Sequence, residues 1–296
     1  MKTIADAIEA AARCLAAVGI ENPQRESEFL VAACLQMPRA HLVLKRRHAL
    51  PFDQIRTLRG WLRERAKRKP LAYVAGEQPF REFQIKVNSS VLVPRPETEL
   101  VVEQALRLLD EMAKPVTVVD VGTGSGNMAL SLALHAKTQL VIGIDCSGRA
   151  LHVARANQAR APRGAPIRWI QGDLLTPLKK ARIRADMIVA NLPYVRSHQI
   201  PELEPELAWE PKLALDGGID GLRLIAPCIQ QASGVLVGGG VLLLEIGADQ
   251  SQDVVRLLEE EKVWEDICVF RDLSGLPRIA QARKSAITTL ADPPKR

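Results

Sequence analysis

No stretch of this chain approaches the ~20 consecutive apolar residues that a membrane-spanning helix needs, so no span is expected. The amino terminus carries an acid within its first six residues and no apolar core, so no secretory leader is expected either. Cysteine is sparse and odd in number: Cys14, Cys34, Cys146, Cys228 and Cys268 are scattered, which excludes a disulfide framework and gives no zinc-site spacing. Buried thiols in a reducing cytoplasm are the expectation. The five histidines (His41, His48, His135, His152 and His198) form no metal signature and are read as structural. No internal repeat is present. What remains is an ordinary globular composition, 47% hydrophobic and 25% charged, long enough at 296 residues for two domains.

Charge is unevenly placed. Residues 39–69 hold eleven lysines and arginines, among them Arg63, Arg65 and Lys67, against Asp53 and Glu64, within a whole-chain charge of +6. Such a stretch can steer an acidic partner or meet RNA phosphate; it can equally be the solvated face of amphipathic helices.

Residues 1–70 read as a helical bundle. Apolar residues recur at three- and four-residue spacing over 5–17, 25–34 and 52–66, with Asn22-Pro23 as a break and Lys69-Pro70 as an end. Residues 71–93 change character: Phe80–Val87 partly alternates and Val91-Leu92-Val93 is short and β-branched, so a β-hairpin linker is expected. From 94 to 296 strands and helices alternate. Helices are expected at 97–112, 125–136, 147–160, 219–233 and 249–260. Strands are expected at 116–121, 139–145, 167–171, 185–190, 239–246, 264–271 and 277–283, with a frayed tail at 291–296. That pattern implies an α/β domain with a mostly parallel sheet covered on both faces, binding its ligand beyond the carboxyl ends of the strands.

Two motifs fall at such ends. Asp120-Val121-Gly122-Thr123-Gly124-Ser125-Gly126 follows an apolar strand and opens a helix. The dinucleotide fingerprint needs glycine at 127, which is Asn127, and the P-loop lysine is missing, so the loop suits a nucleoside better than a pyrophosphate. Asp145, 23 positions beyond Gly122, ends the next strand, where a carboxylate can accept both ribose hydroxyls. Asp173 ends the third strand, where it can accept from an adenine amino group while Leu174 covers the ring. The second motif is Asn191-Leu192-Pro193-Tyr194, after Met187–Ala190. Its amide oxygen and the Leu192 carbonyl can each accept one N–H of a planar NH2 group, Pro193 stiffens the turn, and Tyr194 can stack on the acceptor. Together the motifs imply methyl transfer from S-adenosyl-L-methionine to a nitrogen, with catalytic Asn191, Pro193 and Tyr194.

The chain resembles the protein-(glutamine-N5) methyltransferases, specifically the release factor glutamine methyltransferases of the PrmC/HemK group. The resemblance runs through Pro70–Glu77 with Phe80, Val93-Pro94-Arg95-Pro96-Glu97-Thr98-Glu99, Asp120–Gly126 and Asn191–Tyr194. It continues through Glu210-Pro211, Ala214–Gly218, Asp220–Leu222, Leu244–Gly247 and Asp272–Gly275. It implies a helical substrate-recognition bundle over 1–70, a hairpin linker over 71–93, and a class I seven-stranded Rossmann-like methyltransferase domain over 94–296. By the same resemblance the substrate is the glutamine of the Gly-Gly-Gln motif in class I peptide-chain release factors, methylated in the cytoplasm by a monomer with no need of nucleic acid or membrane. Cofactor contacts then fall on Gly122–Gly126, Asp145, Asp173, Leu174 and Asn191, and the glutamine-binding turn on Asn191–Tyr194.

One residue departs from the family pattern: Leu192 stands where a first proline is usual, though the group needed there is a backbone carbonyl. Asn-Leu-Pro-Tyr is also the form in ribosomal RNA adenine dimethyltransferases. Those lack the helical amino terminus and Pro-Arg-Pro-Glu-Thr-Glu, and rank second. A ribosomal-protein glutamine is a closer rival substrate. A non-catalytic RNA-binding adaptor built on residues 39–69 is the rival from another class.

Overall fold

The computed structural model describes residues 3–164 and 166–286, and the tail expected at 291–296 lies outside them. The chain forms two compact units. One runs to Gln78 and takes in Val87–Ser89 and Leu203–Glu210; the other holds Pro79–Lys86, Ser90–Glu202 and the chain from Pro211. These divisions differ from the boundaries expected at 70 and 93, because a segment from far along the chain packs with the helices. Among the described residues no helix is long and apolar enough to cross a membrane.

The first unit is helical: α1 (Ile4–Ala16), α2 (Pro23–Cys34), the short α3 (Leu42–Lys45), α4 (Phe52–Arg65) and α5 (Leu71–Ala75). Thr3 caps α1 by accepting from the Asp6 N–H while the Asp6 carboxylate accepts from the Thr3 N–H. Ile4, Ala7, Ile8, Ala11 and Leu15 then fall on one buried face. Pro23 does not merely break the pattern; it is the first residue of α2, where its missing N–H costs nothing. Helix α5 is too short for a periodicity to announce it.

An ion cluster lies inside this unit. Arg65 is 4% exposed, grips Glu26 through two nitrogens (2.7 and 3.0 Å) and reaches Glu206 at 2.8 Å. Arg68 bonds the other Glu206 oxygen at 2.9 Å, and Lys69 stands over the Trp209 ring at 5.9 Å. Arg65 is therefore not part of a solvent-facing basic patch, as residues 39–69 suggested.

A hairpin follows, β1 (Glu77–Phe80) and β2 (Phe83–Lys86). The second unit then begins its regular series with α6 (Pro96–Glu111), whose first turn carries Glu97 and Glu99 where the helix dipole favours acids. It continues with β3 (Val116–Val121), α7 (Asn127–Ala133), β4 (Thr138–Asp145), α8 (Gly148–Gln158) and β5 (Ile167–Gln171). Next come α9 (Thr176–Ala181), β6 (Ala185–Asn191), α10 (Ile225–Val235), β7 (Leu236–Glu245), α11 (Ser251–Glu260), β8 (Trp264–Arg271) and β9 (Pro277–Lys284).

The seven strands form one sheet in the order β5-β4-β3-β6-β7-β9-β8, parallel except for the pairings of β9 with β7 and β8. The expected α/β fold is thus present with all seven strands. The inner strands are nearly continuous apolar runs because both of their faces are covered.

Two local expectations change. The helix foreseen over 219–233 starts only at Ile225, since Gly218 and Gly221 adopt left-handed backbone and Asp216 and Asp220 cap the turn they make. Val91–Val93 is irregular rather than extended in a strand.

Replacing Arg65 with alanine leaves Glu26 facing a buried gap, and chemical unfolding should show a loss of about 3 kcal/mol. Arg65→Lys should recover only part of it, because an ammonium cannot bridge Glu26 with two nitrogens.

Candidate active site

Strands β3 and β6 lie side by side in parallel, with Val121 opposite Ala190. β3 leads to β4 on one side and β6 to β7 on the other, so their carboxyl ends form a topological switch point, where open α/β sheets bind ligands. The glycine loop leaves one end and the Asn191 turn leaves the other.

The loop is held by a dense set of bonds. The N–H groups of Gly122 and Thr123 both donate to the Ile144 carbonyl (2.8 and 2.9 Å). Buried Asp120 accepts from the Thr123 hydroxyl at 2.6 Å and from the Ala129 N–H at 3.0 Å. Burial pushes the Asp120 carboxyl up to about 7, against the pull of those two bonds and with the help of Asp145's charge. Gly122 has a φ of +71°, and a Cβ there would meet Leu192 Cδ2 at 3.0 Å, so the residue that lets the loop turn also admits the neighbouring turn. Asp145, at the end of β4, accepts from the Gly124 N–H (2.9 Å) and the Ser147 N–H (2.8 Å). Burial raises its carboxyl while these bonds lower it.

These parts enclose a cleft of ≈ 410 Å³, within the about 300–1,000 Å³ usual for small-ligand sites. Gly122, Thr123, Gly124, Ser125, Asp145, Asp173, Leu174, Asn191, Leu192 and Pro193 all line it. The residues fit a nucleoside carrying a charged sulfur: Gly124, with no neighbour nearer than 3.8 Å to where a Cβ would stand, leaves room beside the loop's backbone. Each Asp145 oxygen, committed to one N–H, keeps lone pairs for ligand hydroxyls. Among the described residues no group of three His, Cys, Asp or Glu side chains could hold a metal.

Gly126 and Tyr194 are not in the cleft lining. A Cβ on Gly126 would stand 2.9 Å from the Trp169 ring and 3.1 Å from Ala154, so this glycine serves packing of the loop against the sheet. Tyr194 packs on the sheet core, its hydroxyl reaches Glu245 at 3.4 Å, and its carbonyl accepts from Gln250 at 3.2 Å. Burial pushes its phenol well up. The tyrosine braces the turn; the stacking surface expected of it is not offered to the cleft. The cysteines differ from expectation too: Cys14 and Cys146 are exposed, and Cys146 lines the cleft because the chain turns outward after Asp145.

Several contributors escaped the sequence reading. Arg95 and Thr98, from the Pro-Arg-Pro-Glu-Thr-Glu segment, line the cleft, as do Val91, Leu92, Pro211 and Leu213. Asn191 Nδ2 donates to Thr98 Oγ1 at 2.9 Å, and Thr98 Oγ1 donates to Glu245 Oε2 at 2.7 Å. Glu245 was legible as an acid closing the otherwise apolar run Val241–Leu244, a costly place for a charge unless it is bonded.

Two family descriptions match the chain: the PrmC N-terminal domain over residues 6–76 and a methyltransferase domain over residues 118–208. A solved methyltransferase from Pyrococcus furiosus aligns with a TM-score of 0.51 and 16% identity, covering 76% of this chain and 99% of that one, a likeness of fold. Sheet order, glycine loop and switch-point cleft define an S-adenosylmethionine-dependent methyltransferase. The chain is 37% identical over 276 residues to the release factor glutamine methyltransferase of Moorella thermoacetica, covering 93% of this chain and 96% of that one. It is 33% identical over 290 residues to the protein of that name from Caulobacter vibrioides, covering 98% and 99%. The chain belongs to the release factor glutamine methyltransferase family.

Asp145→Ala should weaken S-adenosylmethionine binding by about tenfold to a hundredfold in calorimetry, the worth of hydrogen bonds to a charged group, and should change the saturated rate much less.

Proposed function

We propose that this enzyme transfers a methyl group from S-adenosylmethionine to the side-chain amide nitrogen, N5, of the glutamine in the Gly-Gly-Gln motif of class I peptide-chain release factors. The observation that carries the reading is one juxtaposition. The Gly122–Ser125 loop and the Asn191–Pro193 turn line the same cleft, in a chain that matches release factor glutamine methyltransferases over more than nine-tenths of its length.

When bound, S-adenosylmethionine supplies a methyl group on a positively charged sulfur. What the protein must add is alignment and exclusion of solvent, because the displacement is in line and a carboxamide nitrogen is a poor nucleophile. Its lone pair is delocalised into the neighbouring carbonyl. Asn191 Oδ1 accepts one N–H and the Leu192 carbonyl accepts the other, which returns electron density to nitrogen and fixes the plane of the amide. Leucine at 192 keeps the carbonyl that a proline would present there. Pro193 stiffens the turn, and Tyr194 holds it from behind through Glu245 and Gln250. The proton leaves after transfer, so the reaction needs no general base.

The helical bundle holds the protein substrate in this reading. Val43, Leu44 and Phe52 are exposed there beside Lys45, Arg46 and Arg47, an apolar and basic surface suited to a macromolecular partner. The enzyme works as a monomer in the cytoplasm, where release factors act, and needs neither nucleic acid nor membrane.

Incubating the purified enzyme with release factor and methyl-labelled cofactor should place the label on the Gly-Gly-Gln peptide by mass spectrometry. Label on RNA and none on the factor would overturn the assignment. Asn191→Ala should lower kcat by about a hundredfold or more while cofactor affinity changes little, since it removes an acceptor aimed at the reacting nitrogen.

A further inference from the structure

Behind the Asn191 turn runs a chain of buried hydrogen bonds that the reaction as described leaves without a task. Asn191 lies beside Glu245 in the β6–β7 register. Their side chains are linked through Thr98 on α6, Nδ2 to Oγ1 at 2.9 Å and Oγ1 to Oε2 at 2.7 Å. Thr98 is 3% exposed and Glu245 1%. Tyr194 Oη approaches the other Glu245 oxygen.

The direction of these bonds decides what Asn191 shows the cleft. A carboxylate has no proton to give, so it can only accept. Thr98 must therefore commit its single O–H to Glu245, which leaves only lone pairs to offer Asn191. The Asn191 amide, whose two ends have nearly the same shape, is then forced to turn its NH2 inward to Thr98 and its oxygen outward. Were the amide reversed, its NH2 would face the NH2 of an incoming carboxamide, donor against donor. We propose that Thr98 and Glu245 are positioning residues for methyl transfer, a relay that fixes Asn191 with Oδ1 toward the substrate's N–H; this rests on the carboxamide reading above.

The relay carries its own pH dependence. Burial pushes the Glu245 carboxyl up to about 7. The Thr98 bond, the charge of Arg278 on β9 and the Tyr194 bond hold it down, and the charge of Glu97 on α6 adds to the rise. Above that pH the carboxylate accepts from Thr98 and the amide is locked. Below it the protonated Glu245 can donate to Thr98 instead. The Thr98 O–H then needs an acceptor, and the Asn191 oxygen turning inward provides one. Activity should therefore fall as pH drops through about 7.

The test compares the wild-type enzyme with Thr98→Val, Thr98→Ser and Glu245→Gln. It measures kcat on the release factor, S-adenosylmethionine affinity, and the side-chain NH2 resonances of asparagine-labelled protein against pH. Thr98→Val should lower kcat by about tenfold, the worth of one hydrogen bond, with cofactor affinity within about twofold. Thr98→Ser, which keeps the hydroxyl, should restore most of the rate. Glu245→Gln can still accept from Thr98 and has no proton to gain, so the acid limb near pH 7 and the titration of the Asn191 NH2 signal should both vanish. A Thr98→Val enzyme with wild-type kcat, or an acid limb and titration that persist in Glu245→Gln, would overturn the relay. An Asn191 signal that titrates as described in a wild-type enzyme that labels no glutamine would support the relay and sink the substrate assignment instead.

Discussion

Everything at this site depends on the parallel pairing of β3, β6 and β7 at fixed register. Val121 beside Ala190 brings Gly122 against Leu192, and Asn191 lies beside Glu245, linked to it through Thr98. These strands are buried on both faces, so a slip of one residue would exchange every side chain between two packed layers. The loops at their ends are consequently placed by the sheet and need not find their own positions. A displacement reaction gains from that, because a small misplacement of donor against acceptor costs rate steeply.

The polar groups under the loops follow one pattern. Asp120 and Glu245 are both buried, both held near 7 by burial, and neither lines the cleft. Glu245 commits both oxygens, one to Thr98 and one to Tyr194, whereas Asp120 accepts from Thr123 and the start of α7 through a single oxygen. Burying a carboxyl costs free energy unless it is bonded, and a network that is almost fully bonded is also stiff. Here the cost is spent on orientation. Asp145 and Asn191, by contrast, line the cleft and keep acceptor capacity toward it.

Much of this was visible in the residues alone. Apolar runs alternating with helical periodicity gave the sheet and most helices because the inner strands are nearly continuous in apolar residues. The glycine loop, Asp145 and Asn191 could be placed because each closes such a strand. Other features stayed hidden for physical reasons. α5 and α9 are shorter than two turns and carry no period. The glycine-rich stretch before α10 kept apolar residues at helical spacing, but its backbone required left-handed φ values. That Tyr194 lies outside the cleft lining stayed hidden because a motif gives a side chain's position in the chain and not the side on which it finds a hydrogen-bond partner. Arg65 stands among basic neighbours in the sequence, but two acids distant in the chain, Glu26 and Glu206, enclose it. The Thr98–Glu245 bond spans 147 residues and is set by tertiary packing.

A crystal structure of the enzyme with S-adenosylhomocysteine and a glutamine-containing release factor peptide would show whether the two strand ends set methyl donor against carboxamide. The nucleoside should lie on the Gly122–Ser125 loop and the glutamine carboxamide should be bonded to Asn191 Oδ1, with its nitrogen facing the sulfur. A carboxamide seated away from Asn191, or a nucleoside outside the switch-point cleft, would contradict that arrangement.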